Sequence, residues 1–329
     1  MGHQDVDTLS AEWKELTQPQ GAPLARSSHA VAVIGSKAYV FGGEHKPRVP
    51  IDNSLHVFDL NQQAWYVEIA KGTAPPARLG VTLVAVGKTL FIFGGRNGDK
   101  NELSNLYAFN TAAGEWRDLT DLPGAPAGRS YHAAVADEKR KSFFVFGGCA
   151  ADGRRNDLYE FDTRAEAWTS YPTSAELLPR GGPGLAVVRE KVYVLFGFSG
   201  KEQGDIHAFD LKSQTWQQLE TSGETPTPRS VLGVTSFNDR YIVAFGGESD
   251  PSDKGHEGAG AFSDEVFILD TTSLRWSRPE LRTEVGAKPP CARGWFAFAP
   301  IGRSMFIYGG NSETNERLDD LHLLTVGTA

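Results

Sequence analysis

YVFGG, residues 39–43, is the stretch that decides the fold, because it returns five more times along the chain. Each copy is a run of strand-forming apolar residues that ends at glycine, usually a doublet, and a tryptophan usually follows about twenty residues later. The other copies are FIFGG (91–95), FFVFGG (143–148), VYVLFG (192–197), YIVAFGG (241–247) and MFIYGG (305–310). A period near fifty residues is typical of propellers and solenoids, so the sequence predicts an all-β array of six units.

The second unit shows how one repeat is built. Residues 79–87 alternate like a strand, residues 88–95 form a nearly all-apolar strand, and residues 105–110 and the segment around Trp116 supply two more. Four such strands make one propeller blade. The last unit has only three strands, and its missing fourth is AEWKEL (11–16) at the other end of the chain. We therefore expect a six-bladed propeller whose ring is closed by the N-terminal strand.

Length, charge and composition restrict the class of protein. The chain of 329 residues is expected to be a single propeller over residues 11–327, after a flexible N-terminus over residues 1–10. The net charge of −8 argues against a nucleic-acid partner, which requires a basic face. No apolar run approaches the roughly 20 residues of a membrane helix. Two cysteines cannot form a disulfide framework, so we expect a cytoplasmic protein. We also expect a monomer or homodimer, and the sequence has no nucleotide or flavin motif.

An arginine precedes the first strand of every unit. Six periodic cations could line the channel as a cationic funnel, but a residue that recurs in every blade is more typical of the scaffold. There a guanidinium bonds loop carbonyls and carboxylates. We interpret the recurring tryptophans in the same way, as side chains packed between blades. The six arginines are Arg26, Arg78, Arg129, Arg180, Arg229 and Arg293.

The repeat is broken most strongly in blade 5, where residues 246–265 separate the glycine doublet from the third strand. One imidazole with two carboxylates suits a first-row divalent ion such as Fe²⁺ or Mn²⁺, and the absence of thiolates argues against structural zinc. A solvated acidic loop with an incidental histidine is the alternative that spacing alone leaves open. The candidate ligands are Glu248, Asp250, Asp253 and His256, beside Glu257.

The corresponding loops of blades 1 to 3 carry cations at the same end of the propeller. Lysine and arginine around a channel mouth form an anion site, and arginine can clamp a sulfate or phosphate through two parallel bonds. Exposed charges on polar loops are the alternative interpretation. These cations are Lys46, Arg96, Arg154 and Arg155.

The glycine doublets, spaced tryptophans and four-strand units resemble the kelch repeat throughout the chain. Within kelch proteins the chain is similar to the plant specifier proteins, the nitrile-, epithionitrile- and thiocyanate-forming group of glucosinolate breakdown, from about Arg26 to Leu324. The stretches that carry this resemblance are RSSHAVAVIG (26–35), RGGPGLAVV (180–188), the H-x-G-x-G of residues 256–260, RGW (293–295) and TNERLDDL (314–321).

The resemblance implies an iron(II) site in the blade 5 loop, formed by Glu248, His256 and an aspartate. The family places that aspartate midway between the two, where this chain has Ser252. Asp253 is therefore the expected third ligand, with Asp250 as its alternative.

The resemblance also implies an activity. The substrate would be a thiohydroximate-O-sulfate, a small anionic sulfur compound that a glucosidase releases. A non-redox, iron(II)-dependent lyase of this kind would direct it toward nitrile-type products. The implied contacts are the cations Lys46, Arg96 and Arg155 and a pocket of Tyr131, Trp295 and Arg154.

Two other functions remain open at this point. The chain could be a non-catalytic kelch propeller that docks a protein partner. It could also be a metal-dependent relative that acts on a different metabolite, an interpretation that the displaced aspartate fits.

Overall fold

The computed structural model describes residues 9–258 and 260–328, without the side chains of His256 and Thr328. Residues 1–8 of the predicted N-terminal segment lie outside this described part. The described chain is all-β and forms the predicted six-bladed propeller. The first strands of neighbouring blades contact one another in a closed circle, so they line the central axis and the later strands lie progressively outward.

Blades 1 to 4 are four-stranded antiparallel sheets in simple chain order. Blade 1 consists of Ala30–Ile34, Lys37–Phe41, His56–Asp59 and Ala64–Val67. Blade 2 consists of Thr82–Val86, Thr89–Phe93, Leu106–Asn110 and Glu115–Asp118. Blade 3 consists of Ala133–Asp137, Ser142–Phe146, Leu158–Asp162 and Ala167–Ser170. Blade 4 consists of Gly184–Val188, Lys191–Leu195, Ile206–Asp210 and Thr215–Gln218.

Blades 5 and 6 each gain a short parallel strand at the outer edge. Blade 5 consists of Gly233–Phe237, Tyr241–Phe245, Val266–Asp270, Arg275–Ser277 and the added Ser222–Gly223. Blade 6 consists of Ala297–Ile301, Ser304–Ser312, Arg317–Thr328, Leu9–Leu16 and the added Glu280–Thr283. Shorter strands in the loops are Cys149–Ala150, Gly153–Arg154, Glu248–Asp250, Ala261–Phe262 and Arg293–Gly294.

Helix is confined to one turn within the described residues, the 3₁₀ segment Gly255–Glu257 in the blade 5 loop. No helix in this part of the chain has the length and apolar character needed to cross a membrane.

The N-terminal strand closes the ring as predicted. It begins at Leu9, two residues before the expected start of the propeller, and pairs antiparallel with Arg317–Thr328 along its whole length. Trp13 on this strand is buried, and its ring lies 5.0 Å from that of Phe245 in blade 5. The first residues of the chain therefore join its last strand to the preceding blade.

The five other tryptophans that stand on fourth strands repeat this contact, which confirms that they pack between blades. Each stands on the fourth strand of its blade and meets an aromatic ring at the end of the second strand of the blade before it. The ring centroids lie 5.0 to 6.3 Å apart in the pairs Phe245–Trp13, Tyr308–Trp65, Phe41–Trp116, Phe93–Trp168, Phe146–Trp216 and Phe196–Trp276.

The six arginines are scaffold residues, as the stronger of the two interpretations predicted. All are almost completely buried. In each, Nε donates to the carbonyl two residues earlier, and Nη1 donates to the carbonyl at the end of its own blade's second strand at 2.9 to 3.1 Å. Five also pair with a carboxylate. The exception is Arg78, whose guanidinium lies 5.4 Å from the ring centre of Tyr107. The cationic funnel is therefore not formed by these residues.

A closed circle of six backbone hydrogen bonds surrounds the axis. In each blade the amide of the second residue after the arginine donates to the same position in a neighbouring blade, at 2.8 to 3.1 Å. All six residues have positive φ, a backbone conformation that is uncommon for residues other than glycine. They are Ser28, Gly80, Tyr131, Gly182, Val231 and Trp295. This axial ring separates a cavity at the loop end from the channel lined by the first strands.

Replacing Trp13 tests the closure of the ring. Trp13→Ala removes a buried ring from the contact between blades 5 and 6, and we expect it to lower the free energy of unfolding by about 3–5 kcal/mol. Glu12→Ala changes an exposed side chain of the same strand and is expected to cost less than about 0.5 kcal/mol. Denaturant titration of both variants measures the difference, and equal losses would contradict closure by this strand.

Candidate functional site

A cavity of about 1040 Å³ lies at the end of the propeller that carries the loops after the glycine doublets. Its position follows from the repeat. In every blade the residue after the doublet, or after the single Gly197 of blade 4, pairs through its backbone with the residue after the blade's arginine. This pairing holds one side chain of every blade at the channel mouth. From blade 1 to blade 6 these are Glu44, Arg96, Cys149, Phe198, Glu248 and Asn311.

Glu248 is the carboxylate that the blade 5 loop places deepest in this cavity. It is only 6% exposed, and its carboxylate makes no hydrogen bond or ion pair within the described part of the chain. Burial, with the charge of Asp250 adding to it, raises the pKa of Glu248 to about 7. A Cβ atom on Gly260 would collide with Glu248 Oε1, so a larger residue there would force the carboxylate to move. An uncompensated buried carboxylate is a strong attractor for a cation.

Glu202 from blade 4 is a second carboxylate of this wall, and the sequence analysis missed it. Its Oε1 accepts a hydrogen bond from Ser230 Oγ at 3.1 Å, whereas its Oε2 is buried without a partner among the described residues. Burial, with the charge of Glu248 contributing, raises the pKa of Glu202 to about 8. In its loop, Glu202 pairs through its backbone with Phe198, the residue after the glycine. Glu102 and Arg154 pair in the same way with the residues after their doublets. The spacing between the paired residues differs from loop to loop, so no signal in the sequence would have found Glu202.

The opposite side of the cavity carries the guanidinium groups of Arg96 and Arg154. Arg96 Nε donates to Glu102 Oε1 at 2.8 Å, and Nη2 contacts the same oxygen. Arg96 Nη1 makes no hydrogen bond within the described residues, so its N–H groups remain available to a ligand. The guanidinium of Arg154 lies 4.6 Å from the centre of the Phe198 ring, an arrangement that orients an arginine without neutralising it.

Two of the predicted cationic contacts are not among the described residues that line the cavity. Lys46 is exposed in the loop that follows Glu44, and Arg155 Nη2 donates to Asp152 at 2.5 Å. The strand Gly153–Arg154 pairs with Cys149–Ala150. Side chains alternate between the two faces of a strand, so with Arg154 at the cavity the next residue points away.

Tyr131 and Trp295 meet at the floor of the cavity. Their rings are 5.3 Å apart and nearly perpendicular, at 83°. Both belong to the axial ring, and their φ values of 52° and 59° aim the side chains toward one another across the mouth of the channel. The two residues that resemblance assigned to an aromatic pocket therefore form one surface.

The predicted metal ligands divide into those on the described cavity wall and one outside it. Glu248, Asp250 and Asp253 all line the cavity. The side chain of His256 lies outside the described part of the structure. Among the described residues no three His, Cys, Asp or Glu side chains form a group that could hold a metal ion. Oxygen donors that include a buried, uncompensated carboxylate fit a divalent cation. Because the described residues form no group of three, a site with three protein ligands would require His256.

Comparison with known proteins identifies a family model and several relatives that this chain matches. Residues 28–247 match the model of the KLHDC2/KLHL20/DRC7 Kelch-repeats domain. The chain is 36% identical to N-(sulfonatooxy)prop-2-enimidothioate sulfolyase of Thlaspi arvense, over 98% of this chain and 99% of that protein.

More distant matches share the repeat. Kelch domain-containing protein 3 of Homo sapiens is 29% identical over 82% of this chain and 73% of its own length. Acyl-CoA-binding domain-containing protein 5 of Arabidopsis thaliana is 29% identical over 83% of this chain and 43% of its own length. The solved structure of YjhT superimposes with a TM-score of 0.72 at 16% identity, over 93% of this chain and 98% of that one, and shows the fold alone.

The raised pKa of Glu202 gives a prediction for pH. Because its folded-state pKa of about 8 exceeds the unfolded value of about 4.3, the stability that protonated Glu202 contributes is lost as the pH rises through that value. In Glu202→Gln we expect an unfolding temperature close to wild type at about pH 5 and higher by a few degrees at about pH 9, with EDTA present. Thermal unfolding checks this. The matched control is Glu220→Gln, an exposed glutamate of the same blade, and an equal gain in both variants would contradict the prediction.

Proposed function

The chain belongs to the kelch-repeat family and resembles its specifier proteins, and from this premise we propose that it is an iron(II)-dependent, specifier-like lyase. Its substrate is a thiohydroximate-O-sulfate or a related small anion, which it directs toward a nitrile. The observation that carries the proposal is a single cavity in which available guanidinium groups face an uncompensated buried carboxylate. The end-to-end match with a protein named as a sulfolyase supports it.

The charges of the cavity correspond to the charges of such a substrate. Arg96 and Arg154 bind the sulfate group, and Lys201 adds a third cation on the same lining. When the nitrogen–oxygen bond breaks, the departing sulfate gains a full negative charge. Guanidinium hydrogen bonds strengthen as this charge develops, so the arginines stabilise the transition state more than the bound substrate.

Glu248, His256 and either Asp253 or Asp250 would hold the ferrous ion. When bound, the ion supplies a Lewis acid with affinity for the thiolate sulfur of the substrate. Asp250 has one argument in its favour, because its charge acts on both Glu248 and Glu202. The side chains of this loop thus fix the sulfur end of the substrate while the arginines fix its sulfate end.

The proposed reaction balances without an external electron donor. The sulfate leaves with the electron pair of the nitrogen–oxygen bond. The electron pair of the carbon–sulfur bond becomes the third bond of the nitrile, and the thiolate sulfur is released as neutral sulfur. In the competing reaction the organic group migrates to nitrogen and gives an isothiocyanate. Tyr131 and Trp295 hold that group against the cavity floor and so oppose its migration.

A relative that acts on another metabolite is the second candidate. The observation in its favour is Ser252, which stands where the specifier family has its aspartate and also lines the cavity. Such a protein would bind the metal but leave the products of glucosinolate breakdown unchanged. A docking propeller without chemistry would bind no stoichiometric metal.

Product analysis tests the proposed activity. The protein, loaded with iron(II) under anaerobic conditions, is added to a glucosinolate and a glucosidase, and we expect nitrile in addition to isothiocyanate. Glu248→Gln and His256→Ala are expected to lose stoichiometric iron and nitrile formation together. Stoichiometric iron with isothiocyanate as the only product would favour the second candidate. Absence of iron from the wild-type protein would contradict both.

The two adjacent arginines of blade 3 test how the sulfate is held. Arg154→Ala removes a cavity-lining guanidinium and is expected to lower kcat/KM for nitrile formation roughly 10- to 100-fold, the range for a hydrogen bond to a charged group. Arg155→Ala is the matched control and is expected to stay within about 2-fold of wild type, because Arg155 does not line the cavity and pairs with Asp152 outside it. The reverse order of effects would assign the sulfate to Arg155.

A further inference from the structure

The TNERLDDL segment of blade 6 contacts the blade 5 loop directly. Asn315 Nδ2 donates a hydrogen bond to the backbone carbonyl of Glu257 at 3.1 Å. Glu257 ends the 3₁₀ turn Gly255–Glu257, which contains His256. The far end of the Asn315 side chain is fixed as well. Its Oδ1 accepts from Asn311 Nδ2 at 3.0 Å and from Arg317 Nη1 at 2.9 Å.

This amide is joined to a buried ion pair between blades 6 and 1. Arg317 Nη2 lies 3.6 Å from Glu44 Oε1, and their side chains are 4% and 1% exposed. The φ of Asn315 is 62°, a left-handed conformation that asparagine tolerates better than most residues. Both features orient the amide so that its nitrogen faces the blade 5 loop and its oxygen faces blade 6.

Blade 1 contacts the same turn from the other side. The backbone amide of Arg48 donates to Glu44 Oε2, so the buried carboxylate also fixes the start of this contact. A Cβ atom on Gly255 would lie 3.3 Å from Arg48 Nη2, which puts the guanidinium against the first residue of the turn. Glu44 therefore links two contacts, from blades 6 and 1, that meet on the turn of blade 5.

We infer that Asn315 and Arg48 are positioning residues for the metal loop, holding the turn that carries His256 at the cavity mouth. The inference rests on the proposed function in one respect, since it assigns the turn to cation binding. The physical reason is that a glycine-rich loop has many conformations, and each contact that restricts it lowers the entropy lost when an ion is bound. Residues from blades 1, 5 and 6 together therefore fix the position of one set of metal ligands.

Asn315→Asp separates positioning from folding. It keeps the size, the left-handed conformation and the acceptor toward Arg317, but it replaces the N–H donor to Glu257 by an oxygen. We expect the dissociation constant for Mn²⁺ or Fe²⁺ to rise about 5-fold, as for the loss of one hydrogen bond. The unfolding temperature should remain near wild type. Asn238→Asp is the matched control, because Asn238 also has a left-handed φ of 54° but lies in a hairpin at the opposite end of blade 5.

A second measurement does not depend on metal. Lys254 is exposed immediately before the turn, so tryptic cleavage after Lys254 reports how often the loop opens. We expect cleavage without metal to be several-fold faster in Asn315→Asp and Arg48→Ala than in wild type, and unchanged in Asn238→Asp.

The outcomes distinguish the two proposals. Wild-type cleavage in both loop variants would overturn the tethering. Faster cleavage with an unchanged dissociation constant would overturn the positioning role. A wild-type protein that binds neither ion would overturn the proposed function, whereas the cleavage comparison would still decide whether blades 6 and 1 hold the loop.

Discussion

The closed circle of six backbone hydrogen bonds around the axis is the constraint on which the rest of the structure depends. Each bond joins neighbouring blades at 2.8 to 3.1 Å, so no blade can shift without breaking two of them. The circle requires positive φ at every position, including Val231 at 49°, where a β-branched residue is strained. The buried arginines just before it offset that strain by fixing the adjacent strand ends through carbonyl and carboxylate bonds.

This constraint also explains why the site lies where it does. With the backbone held by the axial ring, the residue after each doublet projects into the cavity whatever its chemistry, and the six blades can carry six different side chains there. Blade 2 supplies a guanidinium, and blade 5 supplies a buried carboxylate. The scaffold is therefore symmetric and the charge is not, so a dianionic ligand can be oriented in it.

Several site residues could be predicted from the sequence because they stand at positions fixed by the repeat. Arg96 and Glu248 directly follow a doublet, whereas Tyr131 and Trp295, two residues after an arginine, were implied by the resemblance to the specifier proteins. Residues farther into the loops were harder to predict. The choice between Arg154 and Arg155 depends on the register of a two-residue strand. Predicting Glu202 requires knowing which residue of its loop pairs with Phe198. Register is determined by backbone pairing, and a single sequence does not show it.

The sequence by itself determined the number of blades, the closure by the N-terminal strand and the structural role of the arginines and tryptophans. These follow from periodicity, since a feature that recurs every fifty residues is required by packing that recurs in every blade. Only the tertiary structure decided how blades 6 and 1 contact the blade 5 loop through Asn315 and Arg48. These contacts join residues that are far apart in the chain, and they do not follow the fifty-residue repeat. They depend on side-chain directions that are fixed only when the ring has closed.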